Sequence, residues 1–283
     1  MDAFYSRNFG LAFGCCRSFR CTGSVFLSNT RFQHKSFYRL HGRRQYSLYF
    51  LGDSKDQENG YYVEGVSEMK SVDVEVINVT KNIGSKQVLN NINMKLSQGK
   101  IYGFFGRNGS GKTMLFRAVC GLIKPTSGQI KIKGKILHKD ISFPESVGVI
   151  IETPGFWSNY TGFENLKLLA SIKNQISDHE IKNAITQVGL NPEDNRTFKK
   201  YSMGMKQRLA IAQAIMEKPD LLVLDEPTNG LDEEGLQLVR NILIEEKSRG
   251  ATILIASHNK EDIQILSDMK FQISDGMLSE FNG

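Results

Sequence analysis

The 283-residue chain is predicted to fold as an α/β protein on a mainly parallel sheet, with an antiparallel β portion at its N-terminal side and an inserted α-helical lobe. Three observations lead there. The runs "IYGFF", "LLVLDE" and "TILIAS" are short, continuous and apolar, the pattern of strands buried on both faces of a parallel sheet. The first passes through a Gly-rich loop into a helix with apolar residues at Met114, Leu115, Ala118 and Val119. Two further segments, "TGFENLKLLASIKN" and "SDHEIKNAITQVGL", open with a hydroxyl residue three places before a glutamate, Thr161/Glu164 and Ser177/Glu180, which is capping-box spacing.

The composition allows one large core with a smaller lobe and a tail. No window holds 18 consecutive apolar residues, so no membrane span is expected. The net charge of +6 is unevenly placed: residues 1–71 hold ten Lys/Arg against six Asp/Glu, leaving 26 against 24 in the remainder. A near-neutral body lacks the basic face of a nucleic-acid binder, and no nucleic-acid partner is expected. Cys15, Cys16, Cys21 and Cys120 form no CxxC pair, which indicates neither a zinc site nor a disulfide framework and fits a reducing cytoplasm.

Residues 1–68 are expected to be a disordered or non-native extension, and residues 69–283 the domain proper. The first 50 residues carry eight Lys/Arg, a single acid and no sustained period of 2 or 3.6. Two origins fit: an organellar transit peptide, typically Arg- and Ser-rich and poor in acids, or a start assigned too far upstream. The second is favoured because Met69 stands immediately before the first strand-like run, "VDVEVINVT", and "EGVSEM" is encodable with a purine-rich ribosome-binding sequence.

Residues Gly106, Arg107, Asn108, Gly109, Ser110, Gly111, Lys112 and Thr113 spell "GRNGSGKT", the G-x-x-x-x-G-K-[ST] pattern between a strand and a helix. Glycines let successive backbone N–H groups point into one concavity, and the helix dipole favours an anion there. Lys112 supplies a charge to the β and γ phosphates, and the Thr113 hydroxyl is placed to ligate Mg²⁺. This is a nucleoside triphosphate cradle.

The inserted lobe is expected over residues 153–203 or so. Just before its first helix, "TPGFWSNYTGF" gathers Phe156, Trp157, Tyr160 and Phe163 in a Pro/Gly-bearing turn. They form either part of the lobe's own core or, as a set, an interface. After the lobe, "YSMGMKQRLAIA" reads as a helix start, with Ser202 as its cap and apolar residues at Leu209, Ile211, Ala212, Ile215 and Met216. Its free backbone N–H groups suit a second phosphate. At "PDLLVLDEPTNGLD" a buried strand delivers Asp225 to its C-terminal edge, where ligands of open α/β sheets collect. Asp225 is placed to hold Mg²⁺ through water, and Glu226 to orient the attacking water in phosphoryl transfer. The strand "TILIAS" ends at Ser257 and His258, again at the edge where a γ-phosphate is expected. That position favours a site residue over a structural histidine.

In this order, the elements resemble the ATP-binding cassette family, from about Val72 to the C-terminus. Gly106–Thr113 match the family's first nucleotide motif, the segment 221–226 the second with its catalytic glutamate, and the segment 229–232 the loop that follows. His258 matches the switch histidine, and the segment 201–205 the family signature. The resemblance implies a P-loop NTPase core, ATP and Mg²⁺ as ligands, and a head-to-tail dimer. In that dimer Ser202 and Gly204 of one subunit touch the γ-phosphate held by a second ATPase subunit. It also implies a transmembrane permease subunit, seated between the lobe and the loop at residue 152, and a cytoplasmic position at the inner face of the membrane through the permease only.

Three departures stand out. The signature, usually Leu-Ser-Gly-Gly-Gln, here reads Tyr201, Ser202, Met203, Gly204 and Met205. Glu152 in "VGVIIETPGF" stands where a glutamine normally serves Mg²⁺ and the attacking water, and a carboxylate can still ligate that cation. The adenine-stacking aromatic falls near Ile83, which offers apolar contact without a π face.

The expected function is ATP binding and hydrolysis energising a separately encoded permease, with export favoured because "IETPGFW" and "YSMGMKQR" look like cassettes of bacterial antibiotic-peptide exporters. The rival is a cassette ATPase without a transport role, acting on nucleic acid or as a mechanical regulator of a membrane partner.

Overall fold

The computed structural model describes residues 35–39, 45–49, 72–152, 155–258 and 260–281. The chain divides into two units, Met1–Met69 and Lys70–Gly283. In the first, β1 (Lys35–Arg39) and β2 (Gln45–Tyr49) pair antiparallel, Lys35 opposite Tyr49 and Arg39 opposite Gln45. The sequence shows no sustained alternation here; a ladder of main-chain hydrogen bonds does not require one, and two strands alone are marginal in water. The remainder of the stretch expected to be an extension lies outside the described residues.

The second unit opens with two long antiparallel strands, β3 (Val72–Ile83) and β4 (Lys86–Ser97), joined by a turn at Gly84. Along β4, Leu89, Ile92, Met94 and Leu96 are buried while intervening residues face outward. With β6 (Ser127–Ile132) and β7 (Lys135–Ile136) they form a sheet in the order β4-β3-β6-β7.

The main sheet has the order β12-β11-β5-β10-β9-β8. Its strands are β5 (Ile101–Phe105), β8 (Val147–Ile150), β9 (Leu221–Asp225), β10 (Thr252–Ser257), β11 (Met269–Ser274) and β12 (Met277–Glu280), all parallel except β12. The apolar runs are continuous because both faces are covered. Tyr102, Phe104, Leu221, Val223, Leu254 and Ala256 enter one core, against the antiparallel sheet and α1 (Lys112–Val119). Ile101, Phe105, Leu222, Leu224, Ile253 and Ile255 enter the other. That second core includes residues of α2 (Gly162–Lys173), α3 (Asp178–Gln187), α4 (Met203–Ile215) and α5 (Glu233–Arg249). The last helix is α6 (Lys260–Leu266).

Both capping boxes form: Thr161 and Glu164 at α2, Ser177 and Glu180 at α3. The four aromatics of the turn before α2 divide. Phe156 sits edge-on to Phe198 at 5.1 Å, and Phe163 is half-buried beneath the ammonium groups of Lys167 and Lys182. Trp157 and Tyr160 remain exposed, at 49% and 44%. Of the two readings open to them, Phe156 and Phe163 take the first, packing within the lobe, and Trp157 and Tyr160 stay at the surface. Among the described residues no helix is long and apolar enough to cross a membrane.

Strand register sets up everything that follows. Ser257 is level with Phe105, and Ala256 with Asp225, so three neighbouring strands end together and their following loops emerge side by side.

Candidate nucleotide site

The chain leaves buried β5 at Phe105 and turns directly into Gly106. A Cβ there would collide with the carbonyl of Ile273 and stand 2.7 Å from Ser110 Oγ, so the loop lies against β11 with no space for a side chain. Gly111 caps α1 with φ +116°, a conformation L side chains rarely adopt, and no side chain caps the helix. The first N–H groups of α1 are therefore left for an external acceptor. Lys112 is only 6% exposed, and its Nζ donates to the carbonyls of Gly106 at 2.7 Å and Arg107 at 3.4 Å. The ammonium is thus folded into the loop that would receive phosphates.

Thr113 and Asp225 meet across this loop, the Thr113 hydroxyl donating to Asp225 Oδ2 at 2.6 Å. Burial holds the Asp225 carboxyl above its ordinary pKa, opposed by the Thr113 hydrogen bond and the Lys112 ammonium; the Glu152 charge acts with burial and Arg117 against it. A cation beside Asp225 would offset that cost, and two hard oxygens side by side suit Mg²⁺, which takes few protein ligands and keeps its waters and phosphates.

Glu226 follows with φ +52°, unusual for a residue with a side chain, and its N–H donates to Ala256 O at 2.8 Å. Its Oε2 lies 2.8 Å from His258 Nδ1. A cleft of about 340 Å³ joins Asn108, Gly109, Gly111, Lys112, Thr113, Asp225 and Glu226 to Ile83, Lys86 and Val88. Ile83 is half exposed at its rim. Lys86, Val88 and Met114 also line it; the first two were not expected from the sequence, and Met114 was expected only as an apolar residue of α1. Lys86 and Val88 were within reach, since Lys86 pairs with Ile83 across the hairpin and alternate residues of one strand share a face.

Glu152 lies elsewhere. It has φ +62°, its side chain is 63% exposed, and its Oε1 is 2.5 Å from Arg117 Nη2. It lines a neighbouring cavity of about 310 Å³ with Arg117, Leu122, Val149 and Gln213, not the cleft. The carboxylate expected near Mg²⁺ is drawn instead to a guanidinium one helical turn beyond Thr113, although its charge still reaches Asp225. Ser202 and Gly204 are also outside the cleft's described lining. Ser202 Oγ accepts from Met205 N at 3.2 Å as the cap of α4, and Gly204 rests against Gly230, 3.3 Å separating a built Cβ from its carbonyl oxygen.

A Gly-rich cradle, a paired Thr and Asp, and a Glu–His pair thus stand together at the ends of three level strands. The family described as ABC transporter matches residues 89–229. YybJ of Bacillus subtilis, an uncharacterised ABC transporter ATP-binding protein, is 55% identical over 205 residues, covering 72% of this chain and 94% of YybJ. The chain belongs to the ABC transporter ATP-binding proteins. As an ABC cassette it binds and hydrolyses ATP as the energising subunit of a transporter. BcrA of Enterococcus faecalis, a bacitracin transport ATP-binding protein, is 43% identical over 209 residues, 73% of this chain and 68% of BcrA. The ATP-binding subunit of an ABC transporter of known structure aligns with a TM-score of 0.67 at 25% identity, covering 74% of this chain and 90% of that chain.

Proposed function

We propose that the cassette holds the ATP phosphates in Gly106–Thr113, with Lys112 turning from the Gly106 and Arg107 carbonyls to the β and γ oxygens. Thr113 and Asp225 would hold Mg²⁺, which when bound supplies positive charge beside the phosphates. Glu226 orients the attacking water and accepts its proton, and His258, hydrogen-bonded to the same carboxylate, stands beside the γ-phosphate. Ile83 gives the adenine an apolar surface at the rim.

The observation that carries this reading is the convergence of Lys112, Thr113, Asp225 and Glu226 on one cleft. Ser202 and Gly204, separate from that cleft, complete the site of a second subunit in a head-to-tail dimer. The cassette sits at the inner face of the membrane through a permease, which contacts the Glu152 loop and the exposed Trp157 and Tyr160. The functional domain begins at Met69. Export is the direction proposed, supported by the likeness to BcrA.

Nucleotide titration and turnover test the assignment together. Lys112→Ala is expected to abolish ATP binding, because it removes the phosphate charge. Glu226→Gln is expected to keep binding, lose turnover and accumulate as an ATP-bound dimer. Equal ATP affinity in wild type and Lys112→Ala would sink it.

A further inference from the structure

Glu226 occupies an unfavourable backbone position. Its φ is +52°, and the residue after it is Pro227, whose ring ordinarily pushes the preceding residue toward extended conformations. Its N–H is tied to β10 through Ala256 O, and its carbonyl accepts from Asn229 N at 3.2 Å. One side chain adds to these. Gln207 Nε2 donates to Glu226 O at 3.2 Å and to Pro227 O at 2.9 Å. Both partners are carbonyl oxygens, so only the NH₂ end of the amide can face them, which settles its orientation chemically.

Gln207 is seated on a helix held against the same segment at other points. Met203, one turn before Gln207, lies over Gly230, where a built Cβ would meet its Cγ and Cε at 2.9 Å. Arg208, one turn after Gly204, donates to Asp232 Oδ1 at 3.1 Å. Residues three and four apart on one helix face thus grip the chain from Glu226 to Asp232. Of these contacts, those of Gln207 fall on the peptide groups directly following the carboxylate-bearing residue.

We propose that Gln207 is a positioning residue for hydrolysis: its amide fixes the Glu226–Pro227 backbone so that the Glu226 carboxylate keeps the place in which it meets His258 and the cleft. The inference rests on the assignment of Glu226 as the water-orienting group. Gln207 does not itself line the cleft, and it reaches Glu226 through the main-chain carbonyl, not through the carboxylate that meets His258.

The test compares Gln207→Met, which keeps volume and loses the donor, with Gln207→Glu, which turns acceptor oxygens toward two carbonyls. Each is measured for kcat, KM and fluorescent-nucleotide affinity, alone and combined with Glu226→Gln, with thermal denaturation as the check on folding. The expected result is a kcat lower by about 10- to 100-fold at unchanged nucleotide affinity, larger for Gln207→Glu than for Gln207→Met. In the Glu226→Gln background, Gln207→Met should lower the residual rate no further, since the group it positions is already gone. Wild-type kcat in a folded Gln207→Met protein overturns the proposal while leaving Glu226 in place, as does an equal fold-loss in both backgrounds. Wild-type turnover by Glu226→Gln overturns the assignment of Glu226 itself, and the role of Gln207 with it.

Discussion

The cradle at residues 106–113 and the loop at Glu152 both follow strands of the main sheet, yet they are built on different principles. The cradle is set by its backbone: Gly106 is packed against Ile273, Gly111 turns with a φ that a side chain would resist, and Lys112 is buried among the loop's own carbonyls. Glu152 is exposed, and its position is set by Arg117, 35 residues earlier. A motif made of backbone and close approach carries its geometry with it. An exposed side chain takes whichever opposite charge the fold presents.

Four substitutions break or sharpen this contrast, and the largest effect is expected at Gly106→Ala. The added methyl has no room beside the Ile273 carbonyl, so the loop must shift by a fraction of an ångström or more. ATPase rate should fall by about 100-fold. A Gly106→Ala cassette with normal turnover would show that the cradle adapts as the Glu152 loop does.

Asp225→Asn should come next, weakening the Mg²⁺ dependence of turnover by roughly 10- to 100-fold. Without nucleotide or metal the same change should stabilise the fold. A carboxyl whose folded pKa is raised contributes its stability in full below the unfolded value, near 3.8, and loses it as pH rises through the folded value. Removing the charge recovers that loss, so the melting temperature of Asp225→Asn should exceed that of wild type at neutral pH, with the difference vanishing in acid. A lower melting temperature at neutral pH would mean that the Thr113 hydrogen bond outweighs burial.

Smaller effects are expected from Glu152→Gln and Arg117→Ala. The pair is solvent-accessible, and exposed ion pairs contribute about 0–1 kcal/mol. ATP affinity and the Mg²⁺ profile of the isolated cassette should change by about threefold or less. The fluorescence of Trp157, the chain's one tryptophan, should report any movement of the loop. A tenfold shift in Mg²⁺ dependence would bring Glu152 back to the metal. The smallest effect is expected from a chain beginning at Met69, with melting and turnover measured against the full chain. A loss of either would give residues 1–68 a role in the domain.

Several features were legible because their interactions close within a few residues. The capping boxes at Thr161 and Ser177 each span three positions, the Ser202 cap spans another three, and the strand–glycine–helix passage at 101–119 needs no distant partner. Continuous apolar runs announced β5, β9 and β10 because a strand covered on both faces has no polar side to show. The hydrogen bonds of Gln207 left no such mark. They end on main-chain carbonyls 19 and 20 residues away, and a carbonyl is the same in every residue.

Alone, the sequence determined the parallel α/β class, the cradle, the helix starts and the carboxylate at the end of β9, since each depends on periodicity or on backbone freedom encoded locally. Tertiary structure decided that Thr113 and Asp225, 112 positions apart, share a hydrogen bond, that Glu226 meets His258, and that Glu152 turns to Arg117. It also sent Phe156 inward and left Trp157 at the surface. The physical reason is common to all of these. A side chain's partner is chosen by strand register and helix packing, and those follow from burying two cores on opposite faces of one sheet, a property of the whole chain that no short segment contains.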